Sequence, residues 1–309
     1  MIDNYKVLEY LLKQDQKGAK QIVDFFLEEK YKQVVKNDRY TYAIGNIPIA
    51  LVAHLDTVYM NRVQDIFYDP DKEVIWSPQG LGADDRAGVF AIIQIIRAGY
   101  RPHIIFTTDE EKGGVGAKYL SKQECPFKDL KYLIELDRRG SKDCVFYDVD
   151  NSIFTKYIES FGFEESWGTF SDISYFAPDW KKCAVNLSVG YYEEHSYAEH
   201  LKLNELQETI DKVCKMLSEK SIPDFEYIEL DYSSFTRCAG CGHYYSEFEL
   251  FPVKDTDGKI VNYCPDCMVD EVGWCYNCGN AFVLTNKNNR VLCSECLKEV
   301  ATNAELESK

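Results

Sequence analysis

Four apolar runs limit what this chain can become. Residues 47–53 (IPIALVA), 104–106 (IIF), 132–134 (YLI) and 184–189 (AVNLSV) are rich in branched and aromatic side chains, as in strands that hide both faces. A sheet of such strands is largely parallel and carries helices on both sides. The intervals agree. Helical spacing covers 5–13 and 18–29, where Ile22, Phe25, Phe26 and Leu27 share one side, and strand-like alternation follows around 31–44. A helix is predicted from near Asp84, carrying Val89, Phe90, Ile92, Ile93, Ile95 and Ile96 and stopping at Gly99, and a last amphipathic helix from about 197 to 219. The expected first domain is α/β and spans 1–220.

Ser221-Ile222-Pro223-Asp224 breaks that last helix and is read as the domain boundary. Beyond it, eight of the twelve cysteines form the pairs Cys238/Cys241, Cys264/Cys267, Cys275/Cys278 and Cys293/Cys296, separated by 22, 7 and 14 residues. Four thiolates satisfy tetrahedral zinc, so eight predict two structural zinc sites in a tandem four-cysteine zinc-ribbon-like domain over 221–300, with a tail at 301–309. Sequential pairing is the simplest arrangement, interleaved pairing stays open, and an iron–sulfur cluster is the weaker alternative. His243 is read as a bystander beside a full cysteine set, and 255–258 (DTDG) as the turn of the first ribbon's hairpin. Cys125, Cys144, Cys183 and Cys214 are scattered and are read as small buried hydrophobes.

A net charge of −16 repels a phosphate backbone, so nucleic acid is not an expected partner. No run approaches the roughly 20 apolar residues of a membrane span. The first residues lack the basic-then-apolar pattern of a secretory leader, which makes the cytoplasm the expected location.

Each buried run ends just before residues that can hold a metal. His54-Leu55-Asp56-Thr57-Val58 sets an imidazole at a strand end, with a carboxylate two residues on that can take the ring's other nitrogen. In 80–88 (GLGADDRAG), Asp84 can cap the following helix or bridge two cations with its two oxygens. In 107–114 (TTDEEKGG), the adjacent Glu110 and Glu111 can divide the work of base and ligand. Segments 135–140 (ELDRRG) and 191–197 (YYEEHSY) add Asp137 and His195. Singly, each motif also reads as a solvated loop, a surface ion pair or a locally satisfied histidine. Together, separate strands deliver His, Glu, Asp and His to one edge of a parallel sheet, where such folds bind their ligands.

In this order the motifs resemble the co-catalytic dizinc exopeptidase superfamily that includes peptidase T, glutamate carboxypeptidases and bacterial leucyl aminopeptidases. HLDTV, GADDRAG, DEEKGG, ELD and EEHSYAE carry the resemblance over most of 1–220. It implies a phosphorylase/hydrolase-like three-layer sandwich and two catalytic divalent metals. His54 and Asp137 would serve one, Glu111 and His195 the other, and Asp84 would bridge them. Glu110 would be the general base, Asp56 would orient His54, and the Asp84–Asp85 peptide would be cis. Zinc suits the mixed imidazole and carboxylate set, with cobalt or manganese compatible.

Fewer than sixty residues separate Asp137 from His195, too few for the inserted lid of longer members, so no lid domain is expected. The implied activity is metal-dependent hydrolysis of peptide bonds at a chain end, leaning to the amino end. A carboxypeptidase or an N-acyl-amino-acid amidohydrolase would use the same site, and a non-enzymatic zinc adaptor is the remaining alternative. Arg138 and Arg139 could bind a substrate carboxylate or pair with acids such as Asp143 and Asp148. Asp172, beside Ser171, Phe170 and Tyr175, is a third substrate candidate. The expected substrate is a peptide or acyl-amino acid, and the acidic ribbons are expected to meet a protein or cover the active site.

Overall fold

The computed structural model describes residues 5–168, 170–231, 235–242, 244–246, 249–255, 257–284 and 292–298. His243, Thr256 and the tail at 301–309 lie outside the described residues. The chain divides into two units, Met1–Leu230 and Asp231–Lys309.

The first unit is built on an eight-stranded sheet. At its centre four parallel strands run in the order Pro102–Thr107, Ile47–His54, Tyr132–Arg138, Cys183–Ser188. The hairpin of Val34–Lys36 and Tyr40–Ala43 lies antiparallel at one side, and Asp143–Val145 with Glu164–Glu165 completes the other. Every residue of Pro102–Thr107 and Cys183–Ser188 is buried, as continuous apolar runs require of strands covered on both faces.

Helix Ala83–Arg97 packs on strands Ile47–His54 and Tyr132–Arg138 and against helices Leu203–Leu217 and Tyr5–Leu12. Val115–Ser121 and Ile173–Trp180 pack on each other and on the sheet. Between Asp137 and His195 the described residues form Asp143–Val145, Ser152–Glu159, Glu164–Glu165, Ile173–Trp180, Cys183–Ser188 and Tyr191–Tyr192, all within this unit. No lid domain is inserted among them.

Two expectations are corrected. The single helix over 197–219 is instead a strand, His200–Lys202, followed by helix Leu203–Leu217. That strand pairs with Val74–Trp76 in a second sheet, ordered Tyr191–Tyr192, His200–Lys202, Val74–Trp76, Phe67–Asp69. Strands of two or three residues are too short to show a period. The boundary also moves, from residue 221 to residue 231. Phe225 lies among the rings of Tyr132, Phe154 and Tyr157, at 5.8, 4.9 and 5.1 Å between centroids, and the Asn151 amide donates to the Glu226 carbonyl at 2.8 Å. Aromatic burial ties down a strap that Pro223 alone would have released.

The second unit holds the hairpin of Phe235–Arg237 and Tyr244–Ser246 and a four-stranded sheet ordered Ile260–Tyr263, Phe251–Lys254, Ala281–Val283, Val272–Trp274. One small cluster gathers Leu250, Val253, Tyr263 and Val272 with Cys238 and Cys264; another gathers Phe282 with Cys275, Cys293 and Cys296. Cores this small need a further clamp.

Candidate active site

The four parallel strands end side by side. His54 closes its strand in register with Thr107, which closes the next, and Arg138 is in register with Ser188. Asp137 lies one residue inside its strand's end, the loops leaving Ile47–His54 and Pro102–Thr107 carry Asp56, Glu110 and Glu111, and His195 lies in the turn between Tyr191–Tyr192 and His200–Lys202. Asp84 comes from the start of helix Ala83–Arg97, at a cis Asp84–Asp85 peptide.

Asp84 sits in the middle. Its Oδ1 lies 3.0 Å from His54 Nε2 and its Oδ2 lies 3.2 Å from His195 Nε2. On the first side Asp137 Oδ1 is 3.6 Å from His54 Nε2; on the second Glu111 Oε1 is 3.0 Å from His195 Nε2. Glu110 Oε2 stands 3.9 Å from His54 Nε2. The structure thus brings together His54, Asp84, Glu111, Asp137 and His195 in two halves that share one carboxylate, with Glu110 beside them.

Neighbouring groups hold this arrangement. Asp56 Oδ1 lies 3.4 Å from His54 Nδ1 and accepts from the Glu110 N–H at 3.0 Å, while its Oδ2 accepts from the Glu111 N–H at 3.1 Å. Asp85 accepts from the backbone N–H of His54 and of Gly88, at 3.2 and 2.9 Å. Asn186 accepts from the Asp137 N–H at 2.9 Å and donates to the Asp137 carbonyl at 2.8 Å, and the Tyr191 hydroxyl donates to Asp137 Oδ1 at 3.1 Å. The buried Arg86 donates to the carbonyls of Leu55 and Gln14. Asp109, Glu193 and His195 have φ of 57°, 55° and 61°, a backbone region that side chains enter at a cost the surroundings must meet. Sequence reasoning missed Asp85, Arg86, Asn186, Tyr191 and Glu199 as supports. Asn186 left a signal as a polar residue inside a buried run, and Asp85, Arg86 and Glu199 stood inside the motifs GADDRAG and EEHSYAE with no role read for them.

So many carboxylates in one buried place oppose one another's ionisation. Burial pushes Asp137 up to about 7 and Glu110 up to about 8, with neighbouring carboxylates adding to both. Hydrogen bonds to Asp84 and Glu111 push His195 up to about 11. Burial acts to raise Asp84 too, but bonds from His195 and His54 hold it below the usual carboxylate range. The cluster therefore favours positive charge within it. Its donor atoms gather within 4.8 Å of one another in the sets His54, Asp85, Asp137; His54, Glu110, Glu111; and Asp84, Glu111, His195. Imidazole and carboxylate donors so grouped fit divalent metal ions.

The substrate candidates fare differently. Asp172 is fully buried and accepts from the Thr107 hydroxyl, which ties it to the sheet end. Arg138 donates to the Trp167 carbonyl at 2.9 Å and reaches Asp143 at 3.4 Å; Arg139 pairs with Glu194 at 3.2 Å.

In the second unit the sulfurs form two sets, Cys238, Cys241, Cys264, Cys267 and Cys275, Cys278, Cys293, Cys296, each within 4.8 Å. Burial raises Cys238, but backbone amides, including the Cys264 N–H at 3.3 Å, bring it down to about 7. The amides of Cys278 and Cys293 bring Cys275 down to about 6. Amides that favour thiolate prepare a sulfur for metal. Burial instead pushes the scattered Cys144 and Cys183 up to about 12, as in inert core thiols.

A parallel sheet that gathers two imidazoles and three further carboxylates around a shared aspartate has the arrangement of a metal-dependent peptide hydrolase. Residues 37–163, which span His54, Asp84, Glu110, Glu111 and Asp137, match the model of Peptidase family M28. No curated protein matches. Among solved structures the chain is similar to the aminopeptidase PepT of Bacillus cereus, with a TM-score of 0.56 and 15% identity, covering 68% of this chain and 95% of that one. A tripeptidase of Staphylococcus aureus gives a TM-score of 0.56 and 14% identity over 67% and 95% of the two chains. The TET aminopeptidase of a marine sediment Thaumarchaeota archaeon gives 0.54 and 13% over 72% and 98%. At these identities the likeness is one of fold. Among the described residues no helix is long and apolar enough to cross a membrane.

Proposed function

We propose that this chain removes residues from the amino end of peptides with two divalent cations held by His54, Asp84, Glu111, Asp137 and His195. The observation that carries the reading is the shared aspartate, which offers one oxygen to the His54 side and the other to the His195 side. His54 and Asp137 would hold one ion and Glu111 and His195 the other; zinc suits the set, and cobalt or manganese takes the same donors. Bound there, the ions supply Lewis acidity that acidifies water and polarises the scissile carbonyl. Glu110 accepts the attacking water's proton and delivers it to the leaving amine. Burial already raises its proton affinity, to about 8 in the metal-free chain. Asp56 ties the Glu110 and Glu111 backbone to His54, so base and ligand keep a fixed relation.

Charge supports the amino end. Carboxylates dominate the site, and both Arg138 and Arg139 are engaged with other partners, so a substrate ammonium suits these surroundings better than a carboxylate. The Bacillus cereus and archaeal structures are likewise of aminopeptidases. The two cysteine sets are assigned one structural zinc ion each. The acidic second unit suits a protein partner better than a nucleic acid.

Incubating the purified protein with free and N-acetylated peptides tests this reading. Stepwise loss from the amino end of the free peptides alone is expected. Trimming from the carboxyl end, or hydrolysis confined to N-acyl amino acids, overturns it.

A further inference from the structure

Glu199 lies four residues beyond His195 and is fully buried. Its Oε2 accepts from the Gly82 N–H at 2.7 Å and its Oε1 accepts from the Asp84 N–H at 3.1 Å. These amides need a partner from outside their own segment. Gly82 stands in the left-handed region at φ 67°, Asp84 is non-helical at φ −77° and ψ 104°, and Gly82 brings no side chain to cap helix Ala83–Arg97. The Tyr59 hydroxyl closes the other side of this turn by donating to the Ser196 carbonyl at 2.6 Å. Burying a carboxylate is costly, so a carboxylate spent on two backbone amides marks a segment whose position matters.

We propose that Glu199 is a positioning residue that aims Asp84 at both halves of the site. One short turn grips Asp84 from two directions: His195 Nε2 lies 3.2 Å from its carboxylate, and Glu199 holds its backbone. The turn that supplies one histidine therefore also sets the direction of the carboxylate that serves it. Without Glu199, Asp84 keeps its oxygen on the His54 side and loses the aim that lets the second oxygen serve His195. This inference rests on the two-cation reading above.

Manganese alone is the probe, added to the full chain with its cysteine sets loaded with zinc, because thiolates select zinc and carboxylates accept manganese. Bound ions are counted by the loss of the free manganese paramagnetic signal for wild type, Glu199→Gln and Glu199→Ala, alongside thermal unfolding without added manganese. Wild type is expected to bind two ions. Both variants should bind the first as wild type does and the second about 10–100-fold more weakly, with one cooperative unfolding transition kept, at a lower temperature in Glu199→Ala, which leaves the Gly82 and Asp84 amides unpaired. Variants that bind both ions normally overturn the proposal. So do variants that lose the fold together with both sites, since Glu199 would then be purely structural. A wild type that binds fewer than two ions overturns the two-cation reading itself, and this proposal with it.

Discussion

The Gly45 N–H donates to His103 Nδ1 at 3.1 Å, which leaves the ring's proton on Nε2, facing Asp129 Oδ1 at 3.1 Å. A second proton on Nδ1 would set two donors against each other in a buried place stacked on Phe127, with 4.4 Å between ring centroids. Burial accordingly lowers the His103 pKa, against the opposing pull of Asp129. The unfolded chain then takes up the proton first as pH falls. The stabilisation is complete above the unfolded value, about 6.5, and is lost as pH drops below it toward the folded value. Wild type should therefore lose more stability than His103→Gln between pH 7.5 and 5.5 in urea unfolding. Equal losses would contradict the neutral-ring assignment.

Asn186 serves as a partner strand for one residue. Its amide satisfies both backbone groups of Asp137 where the ladder between Cys183–Ser188 and Tyr132–Arg138 shifts register. Asn186→Ala leaves two buried groups unpaired, and a loss of about 1–3 kcal/mol per group is expected in urea unfolding of the metal-free protein. A variant as stable as wild type would mean that the bulge closes without the amide.

Replacing Glu110 by Gln keeps its shape and removes its proton affinity. Turnover should fall about 10²–10⁴-fold while manganese binding stays at the wild-type count. Loss of metal together with turnover would show that Glu110 is a ligand before it is a base.

The two cysteine sets should fail separately. Cys264→Ser opens only the set containing Cys238, Cys241 and Cys267. Zinc in the second unit should drop from about two ions to about one, with new protease sensitivity around Phe251–Lys254 and Ile260–Tyr263. Zinc content equal to wild type would break the assignment of that set.

Long buried strands and the motifs at their ends were legible because each runs locally along the chain. His54, Glu111 and Asp137 could be placed together once the parallel strands were recognised, since parallel strands deliver their ends to one edge. What could not be read depends on contacts distant in sequence. His200–Lys202 is a strand only because Val74–Trp76 lies beside it, and Glu199 has a task only because Gly82 and Asp84 point their amides at it. The burial of Asp172 against Thr107 was hidden for the same reason, since the two lie 65 positions apart.

The proposed donors come from positions 54, 84, 111, 137 and 195, each carried by a different segment. No fragment that lacks the last parallel strand can therefore offer a complete nest for the ions. Ions that bind only the finished fold also favour it by mass action, so nascent or truncated chains would be left idle. The cell would then hold no half-made proteolytic species, and loading with metal would double as an inspection of the completed polypeptide.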